Sequence, residues 1–478
     1  MRSVDVDKVR PEGREGGALR ILILSLLLLL AARTGIAQAS TNAETEPSGN
    51  VERRPLVHLT LQDAVTRAMR HNRHVELASL DVTQAEAKRK IAQSSYYPHI
   101  KNESTALYVT ALQGVVVPAG ALSQSGVAGL VPSQTLVIGQ GSQKTYTSGT
   151  GLVQPITQLF KVHAGVQAAN AEVEITKIDA ADAANSVSLL THKLYFEILT
   201  KQEELKAADA AIQSSVVANE ESTNDIAEGK SLEIAGLETR ASLLETRRQS
   251  LIARLAIDDL VLQLDDVVGL PLGTRLELDS ASVGEGPIIP SEADAIAQIE
   301  AKNPKVLAAI QDVEKAKAAL SAAKTAYIPD VTGVARYSYQ SGIPFLVHNF
   351  GTFGGTISYD LFDGGTREGH LKAAKIQLQM AELQFAQTKA DVSIQVSAVY
   401  DDIRKMQQLM SVVTANVAVR EEQSRVAQRR FREDAGLASE VGRSRANLAT
   451  ARTSLLGTQL GLILLKDQVL TLLAECAN

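Results

Sequence analysis

The sequence predicts a mainly α-helical chain with a small membrane β-barrel portion, built from one helix-strand-strand-helix-helix unit used twice. Three observations lead there: an internal repeat that aligns without gaps, heptad stripes through the longest helical segments, and short alternating segments of a length that crosses a bilayer as tilted strands. Composition agrees. With 45% hydrophobic and 21% charged residues the 478-residue chain can bury a core, while 4% aromatic residues and no Trp suit long Ala-rich helices better than several compact domains. A net charge of -6 leaves no basic footprint for displacing counterions from phosphates, so no nucleic-acid partner is expected.

The first element is an export signal over residues 1–39. Arg14 and Arg20 precede an apolar run from Ile21 to Ala32, and Ala37-Gln38-Ala39 supplies the small residues that a signal peptidase needs. Cleavage is expected after Ala39, with a mature chain from Ser40 and an N-terminal linker over 40–57. The alternative, a retained membrane anchor, stays open, although the run is shorter than the roughly 18 to 20 apolar residues of a spanning helix. The stretch ahead of the run is long for a signal, which leaves the start codon open. The single cysteine, Cys476, lies far from the cleavage site, so neither lipid attachment there nor an intrachain disulfide is expected. No later segment reads as a long uncharged apolar stretch, so any membrane crossing would be made by strands.

The repeat comes next. One constant offset pairs Asp63 with Asp294, Asn72 with Asn303, Asp81-Val82 with Asp312-Val313, Ala85 with Ala316, Tyr96 with Tyr327 and Pro98 with Pro329. A second, shorter offset pairs Ala168-Ala169 with Ala373-Ala374, Tyr195 with Tyr400, Ile198 with Ile403, Leu251 with Leu456 and Leu255 with Leu460. The first unit (58–285) therefore carries a longer insertion than the second (286–478), in the Gly- and Val-rich stretch between Pro98 and Ala168. A Gly- and Pro-rich linker, GLPLGTRLELDSASVGEGPIIP, joins the two.

Strands are expected at about 99–113 and 144–155 in the first unit, and at about 330–340 and 350–361 in the second. In the second, Val331, Ala335, Tyr337 and Tyr339 alternate with Thr332, Arg336, Ser338 and Gln340. Phe353, Ile357, Tyr359 and Leu361 likewise alternate with Thr352, Thr356 and Ser358. The first unit's strands alternate less cleanly. Each segment has the length of a bilayer-crossing strand, and the same pattern also fits a half-buried sheet of a soluble protein. The long helices then show apolar residues every seven positions: Val166, Val173, Ala180, Val187 and Leu194, matched by Leu371, Leu378, Phe385, Val392 and Val399. The pattern from His163 to Thr223 runs about 60 residues, roughly 90 Å at the helical rise. Four strands cannot close a barrel and open edges cannot face lipid, so the chain must pool strands with other copies, its helices continuing the barrel as a tube.

The signal peptide, the duplicated unit, the Tyr97-Pro98 and Tyr327-Ile328-Pro329 ends before the strands, the segment Tyr359-Asp360-Leu361-Phe362-Asp363-Gly364-Gly365 and the close of the first half at Val267-Val268-Gly269-Leu270-Pro271-Leu272-Gly273 together resemble the TolC-like outer-membrane efflux family. The resemblance spans nearly all of the mature chain. It implies a homotrimer with a shared twelve-stranded β-barrel in outer-membrane lipid and a trimeric α-helical tunnel across the periplasm. It further implies two partners, a periplasmic adaptor protein and an inner-membrane transporter that supplies the energy, with this chain as passive exit duct of a tripartite efflux or type I secretion system. Two helix-helix turns fall at the periplasmic end. Gly436, Leu437, Ala438 and Ser439 resemble the family's tip and are candidates for adaptor contact, with Gly229, Lys230 and Ser231 as first-unit counterparts. A helix-ending glycine in the left-handed conformation explains both glycines without a partner. Where many members carry Asp-Val-Leu after the tip, this chain has Gly442-Arg443-Ser444. Glu433, Asp434 and Glu440 remain as acids that could line the tunnel mouth, or simply form a solvated face.

Catalytic signals are weak. The segment Asn224–Ser231 lacks the first glycine of a phosphate loop and lies in a helical turn. His71 and His74 could share a helix face, without a third ligand nearby, and Asp401-Asp402 are adjacent and cannot serve one bond as acid and base. No enzyme activity, cofactor or metal is expected. The alternative to a channel is a periplasmic coiled-coil adaptor or scaffold that never enters the outer membrane, with a secreted enzyme a distant third.

Overall fold

Cap residues visible in the sequence set the helix boundaries. The computed structural model describes residues 56–110, 115–121, 132–138, 143–284, 286–342 and 347–474; the expected signal segment and its cleavage point lie outside them. The first half runs β1 (Leu56–Leu59), α1 (Leu61–His71), α2 (Arg73–Ser94), β2 (His99–Tyr108), β3 (Val115–Val117), β4 (Leu136–Ile138), β5 (Lys144–Pro155), α3 (Leu159–Ala227) and α4 (Glu233–Val268). The second runs β6 (Arg275–Leu278), α5 (Glu292–Lys302), α6 (Pro304–Thr325), β7 (Asp330–Ser341), β8 (Asn349–Ser358), α7 (Thr366–Arg432) and α8 (Ala438–Leu472). At 69 residues, α3 is about 100 Å long at the helical rise.

The helix expected before each strand pair is in fact two. Asn72 ends α1 and caps α2, its Oδ1 accepting the His74 N–H at 2.9 Å while its Nδ2 donates to the Val267 carbonyl at 3.2 Å. Asn303 repeats the arrangement between α5 and α6, accepting from the Val306 N–H at 3.1 Å and donating to the Leu472 carbonyl at 2.8 Å. One amide thus breaks a helix, restarts it and ties it to the end of a neighbour. The break also corrects the histidine pair: His71 closes α1 and His74 opens α2, so they do not share one helix face. Among the described residues no group of three His, Cys, Asp or Glu is placed to hold a metal.

The linker between halves is not structureless. Its Arg275–Leu278 pairs in parallel with Leu56–Leu59, so the expected N-terminal linker over 40–57 already ends in a strand. Tyr195, fully buried, donates its hydroxyl to the carbonyls of Leu59 and Asp279, both at 2.9 Å, and pins this two-stranded sheet to α3. Its repeat partner Tyr400 donates to the Pro290 carbonyl at 2.7 Å. Two apolar cores form at these anchors, one around Leu59, Tyr195, Ile198, Leu264 and Val268, the other around Ile299, Val306, Val396, Tyr400 and Val469.

The two halves interleave within one body. Near the strands α3 lies between α2 and α6, and beyond the cores it lies between α4 and α8; α7 flanks α6 and α8 on the far side. The layer therefore reads α2–α3–α6–α7 at one level and α4–α3–α8–α7 at the other. The heptad positions Val166, Val173, Val187 and Leu194 are buried in it, as are Val392 and Val399. By length and composition alone α8 is apolar enough to cross a membrane, with a mean hydropathy of 1.3 over its most apolar window, although it contains no uncharged stretch of that length. It packs instead along α3 and α7, where its buried Asp467 meets His192 of α3 at 2.7 Å.

The sheet keeps the same order, β2-β5-β7-β8, antiparallel throughout. Its register puts Ile100, Leu152, Ala335 and Phe353 in one row of a single face, beside Tyr337 and Ile357. The weaker alternation of β2 and β5 has a cause on that face: Asn102 donates to Thr150 at 2.9 Å and accepts from Ser104, which meets Ser148 at 2.9 Å. Polar groups that satisfy one another cost far less on an apolar face than lone ones.

Candidate functional site

Two regions concentrate unusual backbone and charge: the junction where β8 hands over to α7, and the turns at the opposite end. At the junction, Gly364 and Gly365 both adopt left-handed φ, at 66° and 87°, which a side chain would resist. Asp363 ahead of them accepts the Gly365 and Arg367 N–H groups, each at 3.0 Å, and so caps the start of α7. Arg367 returns along the same turn, its Nε on Asp363 at 2.7 Å and a second guanidinium nitrogen on the Asp360 carbonyl at 2.6 Å. Its guanidinium lies 4.9 Å from the Tyr359 ring centroid and 5.8 Å from that of Tyr327. The Arg367 side chain and these N–H donors hold the Asp363 carboxyl down at about 2, and Asp363 in turn raises Arg367. A cavity of about 500 Å³ opens beside this clamp, lined by Lys161, Thr325, Asp330 and Asp360 among others.

At the other end the expected tip residues sit in two helix-helix turns, and the turns differ. Gly229 is left-handed, with φ at 72°, and the Lys230 N–H reaches back to the Asp225 carbonyl at 2.8 Å, which closes α3. In the second turn Asp434 holds the left-handed position, with φ at 52°, and the Ala435 N–H reaches the Arg430 carbonyl at 2.9 Å. Gly436 is not the left-handed residue, which corrects that explanation. Its need is room, since an added Cβ would lie 3.3 Å from the Arg430 Cβ and 3.4 Å from the Phe431 nitrogen.

The second repeat offset, carried on to the turn, pairs Gly229 with Asp434 and Leu232 with Leu437. The structural counterpart of Gly436-Leu437 is therefore Ser231-Leu232, two residues beyond Gly229. Both leucines sit at the N-cap of the following helix and are exposed, 76% for Leu232 and 59% for Leu437. Leu232 lies outside the expected tip residues, and the second repeat offset places it opposite Leu437. Gly229 and Lys230 are exposed, with Lys230 paired to Glu228, and Ser231 is half-buried. Gly436 and Ala438 are half-buried and Ser439 is buried, its N–H donating to Glu221 of α3 at 3.1 Å.

Glu433 and Asp434 are exposed in the second turn. Glu440 faces Arg430 at 3.7 Å, in a neighbourhood that also holds Arg429 and Arg432 at the end of α7 and Arg443 and Arg445 on α8. Within the second turn these three acids thus face five arginines, while the first turn carries Asp225, Glu228 and Glu233. Gly442 lets α8 approach α3 closely, since a Cβ there would lie 3.0 Å from the Ser214 Cα. A groove of about 550 Å³ runs alongside, lined by Val217, Phe431, Arg432, Val441 and Arg445 among others.

Residues 295–475 match the sequence profile of a family described as outer membrane efflux protein. No curated protein matches the chain in sequence. In fold, the chain is similar to the outer membrane protein VceC of Vibrio cholerae, at a TM-score of 0.68 over 87% of this chain and 97% of that one, with 17% identity. It is similar to the CmeC outer membrane channel of Campylobacter jejuni at 0.69, over 87% of this chain and 85% of that one, with 16% identity. For the open state of the MtrE outer membrane channel of Neisseria gonorrhoeae the score is 0.69 over 87% and 90%, with 15% identity.

Proposed function

We propose that the chain is one subunit of an outer-membrane efflux duct: residues 295–475 match the family described as outer membrane efflux protein, and the fold is similar to that of outer-membrane channels over both halves. The observation that carries the proposal is the pair of free edges. Strands and helices share one lateral order, so β2, α2 and α4 form one edge of the chain and β8 and α7 the other. The edges differ in sequence and shape, so copies join head to tail, and such contacts close into a ring or run on as a filament.

Both edges are chemically unfinished. On α4, Leu237, Leu244 and Leu251 stand exposed at heptad spacing beside Ile234, Leu255 and Leu262. On α7, Val412, Val419 and Val426 are likewise exposed. β2 and β8 have no partner on their outer sides among the described strands. A ring satisfies all of them at once, and with four strands from each chain a trimer supplies the twelve of the expected barrel. The apolar face with Ile100, Tyr337, Phe353 and Ile357 then meets lipid and the charged face the lumen, with the signal segment bringing the chain across the inner membrane. Leu232 and Leu437, with the residues around them, are the contact points for a periplasmic adaptor, which couples the duct to an inner-membrane transporter. The duct itself is passive.

The test is extraction. Protein in the outer-membrane fraction should need detergent for release and should run in mild detergent as a trimer that heat converts to monomer. A monomer released without detergent would overturn the channel and favour the periplasmic scaffold.

A further inference from the structure

We propose that Lys101 and Arg336 form an electropositive collar inside the barrel that favours anionic solutes in transit, an inference that rests on the channel reading above. The strand register puts Lys101, Gly151, Arg336 and Thr352 in one row of the face opposite the apolar one, with Glu103, Gly149, Ser338 and Phe350 in the next row. Within these rows each chain supplies two bases and one acid.

The glycines of β5 form the floor on which this cluster lies. A Cβ on Gly149 would come within 2.6 Å of the Arg336 Nε, so the guanidinium occupies the space that a side chain there would take. Arg336 reaches across β5 to within 4.0 Å of Glu103, whose other oxygen meets Lys101 Nζ at 2.8 Å. One carboxylate shared by two cations leaves one positive charge per chain, and a ring of copies repeats it around the lumen at a single level. Field lines in a narrow, lipid-jacketed pore are focused, so a ring of like charge acts on passing ions more strongly than it would on an open surface.

Nothing nearby offsets it. The segments between the strands, 109–143 and 342–348, contain no Asp, Glu, Lys or Arg, and β8 contains none either. Lys144 pairs opposite Tyr108 and belongs to the other face, at the rim. The remaining charge on the lumen face of the strands is Asp330, at the helix end of β7; by strand rise it is about 20 Å from Arg336, beyond a Debye length of about 8 Å.

The experiment is the reversal potential of the full-length protein in a planar bilayer under a potassium chloride gradient. Arg336→Glu and Lys101→Glu should each lower the chloride-to-potassium permeability ratio several-fold, and Glu103→Gln should raise it. Heat-modifiable trimers must form at wild-type yield in every variant scored. Open channels whose ratio is the same in wild type and all three variants would overturn the collar. A wild-type protein that conducts nothing and releases without detergent would instead overturn the channel reading on which it stands.

Discussion

The exposed seam of α4 offers the most direct perturbation of the assembly. Leu251 points away from its own chain: it is 62% exposed, whereas the other face of α4 packs on α3 through the buried Ala253 and the Ser250–Asp209 hydrogen bond at 3.0 Å. Fully burying a leucine contributes about 1.5–3 kcal/mol, so completing the burial of Leu251 in a ring contributes about 1–2 kcal/mol at each interface. A trimer repeats that contact at every interface, so Leu251→Ala costs the ring about 3–6 kcal/mol. Leu251→Glu costs more, because a carboxylate would be desolvated without a partner. The assay is sedimentation in mild detergent along a denaturant series, with helicity followed on the same samples. Leu251→Glu, and Leu244→Glu one heptad away, should release monomers of unchanged helicity at denaturant concentrations where the wild type remains trimeric. Trimers of both variants that persist to the wild-type midpoint would refute the argument that this seam is an interface.

Three further outcomes follow from other contacts. Asn303→Ala removes a helix cap and leaves the Leu472 carbonyl without its buried donor, so it should lower stability by about 2–4 kcal/mol, read from thermal unfolding. Asp363→Asn should weaken the strand-to-helix junction in a pH-dependent way: the carboxyl sits at about 2 against an ordinary 3.8, so its contribution is present above about pH 4 and is lost as the pH falls toward 2. Unfolding curves of variant and wild type should accordingly differ at pH 7 and converge near pH 2; a constant difference across that range would count against the clamp. If the proposed adaptor contact holds, Leu232→Asp together with Leu437→Asp should abolish co-purification of a periplasmic adaptor while trimer yield stays at the wild-type level.

The fold class was legible because its signals are local and repeated. The heptad stripe through Val166, Val173 and Leu194 marks the buried side of α3, and the alternation around Tyr337 marks the apolar side of β7. The helix breaks at Asn72 and Asn303 were less visible. Asn is compatible with a helix interior on propensity, and its second role, donating to Val267 or Leu472 far along the chain, is a tertiary contact that no local window contains. The β1–β6 pair escaped for the same reason, since four residues beside a Gly- and Pro-rich stretch read as linker until a distant partner appears. At the tips, glycine was the misleading signal. The left-handed position that Gly229 fills in one turn is taken by Asp434 in the other, because a short polar side chain tolerates that conformation, and Gly436 serves close packing instead.

That substitution bears on how a duplicated chain would work as the proposed duct. At the level of the cores the two halves are near copies, with Tyr195 and Tyr400 each donating to a carbonyl and Asn72 and Asn303 each tying one helix to the end of another. Rigid repetition there suits a wall. The copies diverge at their ends: the first half carries the long insertion between β2 and β5, and the second turn rests on the other half, with the Ser439 N–H on Glu221 and Gly442 against Ser214. In a ring of such chains the two kinds of turn alternate, the second braced on α3 of its own chain. Charge follows the same division, since Arg429, Arg430, Arg432, Arg443 and Arg445 all belong to the second turn, while the first turn pairs Lys230 with Glu228. At the end of the helices, a surface that discriminates among protein partners by charge is therefore to be sought on the α7–α8 turn, where α8 crosses α3, and not equally on both turns.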